Sequence, residues 1–207
     1  MGASGHGGME KDRAWGRSPA ATPPYPHALP CGFCRHWPSE LAWAVSAVWL
    51  EDGPARELAH ALKYGGWTCA ARPMADVIAR HCGARLTDDL VLVPIPLGRT
   101  RERERGHNQA AELARAVGAT LGLAVAERAV TRRRDTRTQT ELSRAERWRN
   151  VAGAFAPGAE PVAGRRVALV DDVLTTGATL AVAARALAEA GAREVGAVTF
   201  GRALVPS

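Results

Sequence analysis

One stretch constrains the architecture more than any other: Val167-Ala-Leu-Val-Asp-Asp-Val-Leu-Thr-Thr-Gly-Ala-Thr-Leu180. Its first four residues are apolar, a run short enough for a buried strand. Two adjacent carboxylates follow, Asp171 and Asp172. A small, hydroxyl-rich turn comes next, Thr175-Thr176-Gly177-Ala178-Thr179, and an alanine-rich helical pattern runs on to about Ala190. A turn that opens a helix presents free backbone N–H groups and the positive end of the helix dipole, so it suits a phosphate. Gly177 lets the backbone approach that anion closely. The acid pair sits at the carboxyl end of the strand, where open α/β sheets bind ligands. Carboxylates beside a phosphate cradle suit sugar hydroxyls, as acceptors, or a hard cation such as Mg²⁺.

The remaining chain supplies an alternation of strands and helices. Residues 1–30 are rich in Gly, Ala, Ser and Pro and show no period of 2 or 3.6, so they read as a disordered or extended tail. Residues 31–89 read as an N-terminal helical segment with a partial Cys pair. In it, Pro54 opens a helix with Asp52 as candidate cap and Leu58, Ala59, Ala61 and Leu62 inward, ending at Lys63-Tyr64-Gly65-Gly66. Ala70 to Cys82 forms a second helix with Met74, Val77 and Ile78 on one side and Gly83 as its stop.

Residues 90–207 read as an α/β core. Leu90 to Pro96 is a strand with both prolines at its end, Arg99 to Asn108 a charged loop, Gln109 to Leu121 a helix, and Val125 to Val130 a short strand. Thr131 to Asn150 is an arginine-rich loop leading into a short helix; long loops of this kind are functional lids or disordered. Val151 to Phe155 returns to a strand, and Val195 to Phe200 is the last one. This order predicts a mainly parallel sheet with helices on both faces, with the loops after Pro96 and Val170 at one edge.

Lys and Arg number 27 against 21 Asp and Glu, a net charge of +6, and Lys11 and Lys63 are the only lysines. That balance suits a polyanionic small substrate or nucleic acid. No apolar run approaches a membrane span and the N-terminus lacks a signal pattern, so no membrane insertion and a cytoplasmic location are expected. Cys31 and Cys34 form half of a zinc knuckle. A structural site needs four ligands; no second pair exists, although His27 and His36 are near enough in sequence to complete a set. Zinc is not expected.

The stretch from Val167 to Leu180 closely resembles the signature of type I phosphoribosyltransferases that binds 5-phosphoribosyl 1-diphosphate (PRPP). The resemblance implies a phosphoribosyltransferase fold, with Asp171 and Asp172 on the ribose hydroxyls and near a Mg²⁺ that accompanies PRPP. It implies Thr175, Thr176, Gly177, Ala178 and Thr179 on the 5-phosphate. Further elements, Ala61-Leu-Lys-Tyr-Gly65, Val93-Pro-Ile-Pro96, Arg105-Gly-His-Asn-Gln109, Gln139, Glu146-Arg147, Asn150-Val151 and Ala154-Phe155, occur in the order seen in ComF-type proteins. Those are phosphoribosyltransferase-like proteins linked to DNA uptake in natural competence. Members often carry a four-cysteine zinc motif, from which this chain departs.

Family order implies that Arg99 and Arg105 face the pyrophosphate, for which the planar guanidinium fork is well suited. It also implies that Thr131 to Asn150, with Arg147, closes over the site as a hood. Lys63 fits either a phosphate contact or a helix C-terminus favoured by the dipole. Two functions stay open. One is a glycosyl transferase that passes the phosphoribosyl group to an unidentified acceptor, a nucleobase or amine. The other is a non-catalytic PRPP sensor or competence accessory that contacts single-stranded DNA or competence proteins.

Overall fold

The computed structural model describes residues 37–50, 53–64, 66–135 and 144–203. The tail over residues 1–30, Cys31, Cys34, His36, Asp52, Gly65, Arg137 and Gln139 lie outside the described residues. Strands are β1 (Trp43–Trp49), β2 (Leu90–Pro94), β3 (Ala124–Val125), β4 (Val130–Arg132), β5 (Phe155–Pro157), β6 (Arg166–Leu174) and β7 (Glu194–Arg202). Helices are α1 (Pro54–Tyr64), α2 (Ala71–Cys82), α3 (Arg99–Arg105), α4 (Gln109–Leu121), α5 (Arg144–Val151) and α6 (Ala178–Glu189).

Five strands form one sheet in the order β1-β7-β6-β2-β3, and every pairing in it is parallel. β6 is central and carries Val167 to Val170 buried on both faces, as a parallel strand covered on both sides requires. Alternation along the strands divides the core in two. Leu92, Ala168, Val170, Val198 and Phe200 face α1, α2 and α4. Val93, Val167, Leu169, Val195 and Ala197 face α6, which also touches α5 and β5. β4 and β5 form a separate antiparallel ladder on that second face.

The expected α/β architecture holds, and several local expectations are corrected. The segment over 31–89 is not wholly helical: Trp43–Trp49 is an edge strand that joins the main sheet through β7. A side chain at Gly196 of β7 would run into the Trp43 indole, so the two strands pack ring on bare backbone. Trp43 Nε1 also donates to Glu194 at 3.0 Å. Gly83 has φ −54° and continues α2 into a 3₁₀ turn over Gly83–Arg85; it is no left-handed stop. The expected strand over Val125 to Val130 divides, because Val125 pairs with Leu92 while Val130 pairs with Pro157 in the other ladder. Arg99–Arg105 is a helix and not a loop. The return strand begins at Phe155, since Val151 ends α5.

Cys82 is buried against α2's core face, and burial pushes its thiol up to about 11. Cys69 is exposed. In the folded chain at pH 8, a thiol reagent is therefore expected to label Cys69 and leave Cys82 untouched until denaturant is added, because the thiolate is the nucleophile. Peptide mapping by mass spectrometry checks this; equal labelling rates for the two would contradict the packing.

Candidate functional site

β2 and β6 are neighbouring parallel strands, so their carboxyl ends open on the same edge of the sheet. Ile95 N donates to Val170 O at 3.0 Å, which carries the pairing one residue past β2. The chain then leaves both strands around an open cleft of about 640 Å³. α1 contributes Lys63 and Tyr64 to it, α3 contributes Arg101 and Arg105, and α5 contributes Arg147. β6 and its following turn contribute Asp171 through Thr179.

β6 is longer than its apolar run. Asp171 pairs in register with Thr199, so the acid pair stands inside the last turns of the strand and not after it. Neighbouring side chains of a strand point to opposite faces. Asp172 is buried, at 3% exposure, while Asp171 is partly exposed, yet both border the cleft. Asp171 Oδ1 accepts from Asp172 N at 2.9 Å. Lys63 Nζ lies 3.1 Å from Asp172 Oδ2. That contact is an ion pair without the alignment of a good hydrogen bond, and Asp172 Oδ2 is otherwise an orphaned buried oxygen.

Burial drives the Asp171 carboxyl well above the usual carboxylate range; the Asp172 charge adds to this and Lys63 opposes it. Burial alone would lower the Lys63 ammonium, but Asp172 and Asp171 outweigh it and leave Lys63 raised. The two directions have different causes: the acids favour the charged ammonium of Lys63, whereas burial beside a second carboxylate disfavours the anion of Asp171.

The turn after β6 places Gly177 at φ +77°, a left-handed conformation that favours glycine, immediately before α6. A side chain there would also meet the Trp37 indole at 2.6 Å. Trp37 Nε1 donates to Thr176 O at 3.2 Å. Thr176 and Ala178 are buried, and Thr175 and Thr179 are partly exposed toward the cleft. Gly177 to Leu180, the start of α6, border the cleft, and Ala178 N donates to Thr176 Oγ1 at 3.4 Å.

α3 sets the arginines. Arg101 and Arg105 are four residues apart, on one face, and both are half-buried in the cleft wall; Arg99 is exposed and outside it. Arg101 stands where the sequence reading put Arg99. The Arg105 guanidinium donates to Gln109 Oε1 at 3.0 Å and lies 5.0 Å from the Tyr64 ring centroid. Arg147 is buried, at 8% exposure, and lines the cleft. Arg132 joins it; burial, then the Arg101 charge, lowers its guanidinium.

Three further residues position this wall and escaped sequence reading. The ring nitrogens of His107 face Arg105 O at 3.0 Å and Leu62 O at 2.8 Å, tying the end of α1 to the end of α3. Asp135 accepts from Thr100 N and Thr100 Oγ1, at 3.3 and 2.6 Å, and so caps the first turn of α3 from another segment. Arg134 donates to Asn150 O and Ala152 O, at 3.1 and 2.7 Å, and holds the end of α5. Only the His-Asn run of the family pattern hinted at the first; the other two pairings are non-local.

The donor set bears on a metal. Among the described residues no group of three or more His, Cys, Asp or Glu is placed to hold an ion. Two carboxylates, one with an orphaned buried oxygen, fit Mg²⁺ that brings its remaining ligands with it, since Mg²⁺ is commonly held by one or two carboxylates plus phosphates. They do not make an all-protein cage.

Residues 101–203 match the phosphoribosyl transferase domain family. Over 184 residues the chain is 36% identical to DNA utilization protein YhgH of Salmonella typhimurium, covering 86% of this chain and 78% of that protein. Competence protein F of Haemophilus influenzae is 38% identical over 106 residues, 50% of this chain and 46% of that protein. Competence protein ComFC of Bacillus subtilis is 38% identical over 101 residues, 49% of this chain and 39% of that protein.

The Asp171 shift has a stability consequence. Its folded pKa lies above its unfolded value, so the folded state binds the extra proton between the two. Stability from this group is full below about pH 4 and is lost as pH rises through the folded value. In metal-free buffer, D171N is therefore expected to gain stability relative to wild type as pH goes from 4 to 8. Thermal melts at both ends check this; a stability difference that does not move with pH would contradict it.

Proposed function

The chain belongs to the ComF-type branch of the phosphoribosyltransferase family, and on that premise we propose that its cleft binds PRPP with Mg²⁺ and transfers the phosphoribosyl group to a nitrogen nucleophile. The observation that carries this reading is the meeting, in one cleft, of the acid pair ending β6, the glycine turn opening α6 and the arginines of α3 and α5. Each suits a different part of one ligand. The turn's N–H groups suit the 5-phosphate. Asp171 and Asp172 suit the ribose 2- and 3-hydroxyls, which donate to them. Arg101, Arg105 and Arg147 suit the diphosphate, where the guanidinium forks meet paired oxygens.

In this reading a nucleophile attacks the anomeric carbon as the bond to pyrophosphate breaks. The pyrophosphate oxygen takes the bonding electrons, and the ribose ring passes through an oxocarbenium-like state. Mg²⁺, when bound, neutralises charge on the diphosphate and orients it. The chain's own part is positioning and charge. Arginines on α3 and α5 stabilise the departing pyrophosphate, and the acid pair lies beside the positive ribose. Of the other titratable side chains lining the cleft, His107 has both ring nitrogens against carbonyl oxygens and Glu104 is exposed, so the reading assigns no base, and the proton that the nitrogen gives up leaves to solvent or to the departing pyrophosphate.

The competence and DNA-utilization names of the relatives support a place in DNA uptake. No helix among the described residues is long and apolar enough to cross a membrane, and the proposed site of action is the cytoplasm. Binding to single-stranded DNA stays a reading for the arginine-rich segment after β4, much of which lies outside the described residues.

The test is titration calorimetry with PRPP, with and without Mg²⁺, together with an assay of pyrophosphate release in the presence of nucleobases and amines. D171N/D172N is expected to weaken PRPP binding about a hundredfold while the fold survives, because two charged acceptors are lost, each hydrogen bond to charge being worth roughly 1.5–3 kcal/mol. Wild-type chain that binds no PRPP in either condition would overturn the reading.

A further inference from the structure

Lys63 is the one lysine of the described residues, in a chain whose other bases there are arginine or histidine. It stands in the last turn of α1, 109 positions before the carboxylate it meets. Its side chain is 28% exposed and that of Asp172 is 5% exposed. The α1 end that carries it is itself held, through Leu62 O and His107. Lys63 and Asp172 both line the cleft, and the ammonium sits against Asp172 Oδ2, the buried oxygen with no hydrogen-bond partner that a metal ion would otherwise take.

We propose that Lys63 is the resident counter-ion of this cleft, its ammonium holding Asp172 and keeping divalent cations off the acid pair while the cleft carries no ligand. A compact ammonium on a flexible stem is suited to this, because it places one point charge at the carboxylate and can withdraw from it. A divalent ion touching Asp172 would stand a few ångströms from that charge, where like charges repel strongly even at a protein surface. For the phosphoribosyl reading, on which this consequence alone rests, the metal then enters together with the diphosphate and not before it. The exclusion itself needs only the acids and the lysine.

The experiment uses the full chain, stripped of metal, with Mn²⁺ alone as probe and electron paramagnetic resonance as readout. K63M and K63Q are expected to bind Mn²⁺ about tenfold tighter than wild type or better, since a nearby like charge is worth at least that factor. K63R keeps the charge and is expected to behave as wild type. K63M/D172N is expected to lose the gain. Mn²⁺ affinities of K63M and K63Q indistinguishable from wild type would overturn the proposal, as would a gain that survives D172N. If neither neutral variant folds, wild-type chain decides: the rate at which an amine reagent labels Lys63 should be unmoved by Mg²⁺ alone, and acceleration by Mg²⁺ alone would overturn the proposal. PRPP plays no part in these arms, so a chain that fails to bind PRPP and still passes them removes the phosphoribosyl reading and leaves this one standing.

Discussion

The structure depends on one constraint: β6 must be buried on both faces to Val170 and still deliver two carboxylates to the open end of the sheet. Burial on both faces needs parallel neighbours and a helical layer on each side, which β2, β7, α6 and the α1–α2–α4 layer provide. Delivering carboxylates at the end of such a strand leaves charge in a partly dry place. The fold answers with Lys63 on Asp172, and with a cleft wide enough for ligand or water at Asp171. Buried charge persists only where it is paired or hydrogen-bonded.

Around that end the wall is assembled from elements that do not hold their own shape. α3 is a seven-residue helix of alternating charge with no buried residue, too short to be stable alone. Asp135 caps it from a separate segment of the chain, and Arg105 is held by Gln109 and Tyr64. α5 is likewise closed by Arg134. The segment from Arg132 to Asp135 therefore braces both arginine-bearing helices. The arginine-bearing wall is a property of the assembled loops and short helices, while the acid pair is a property of the strand.

This division explains what could be read from sequence. α4 and α6 were legible because their local signals are complete: Asn108 caps α4 with an accepted bond from Ala110 N at 3.0 Å, Gly122 closes it in a left-handed conformation, and α6 follows a glycine turn. The parallel sheet was legible from alternation. β1 was not, because its apolar run is stabilised by β7, some 150 residues away, and by an indole lying on Gly196. α3 was read as a loop because a run of Arg and Glu has no apolar period to betray it. Choosing Arg99 over Arg101 followed from that: once the segment is helical, the face shared with Arg105 is set four residues back. Lys63 was legible as a candidate, but its pairing with Asp172 joins two elements distant in sequence and has no local signal.

The central claim is that the end of β6 and the turn opening α6 hold PRPP as one unit. A crystal structure of the chain with PRPP and Mg²⁺ tests it most directly. The account predicts the 5-phosphate on the backbone of Thr175 to Thr179, the ribose hydroxyls on Asp171 and Asp172, and the diphosphate toward Arg101 and Arg105. Ligand density elsewhere on the molecule, or a 5-phosphate directed at the α3 arginines with the α6 turn empty, would contradict it.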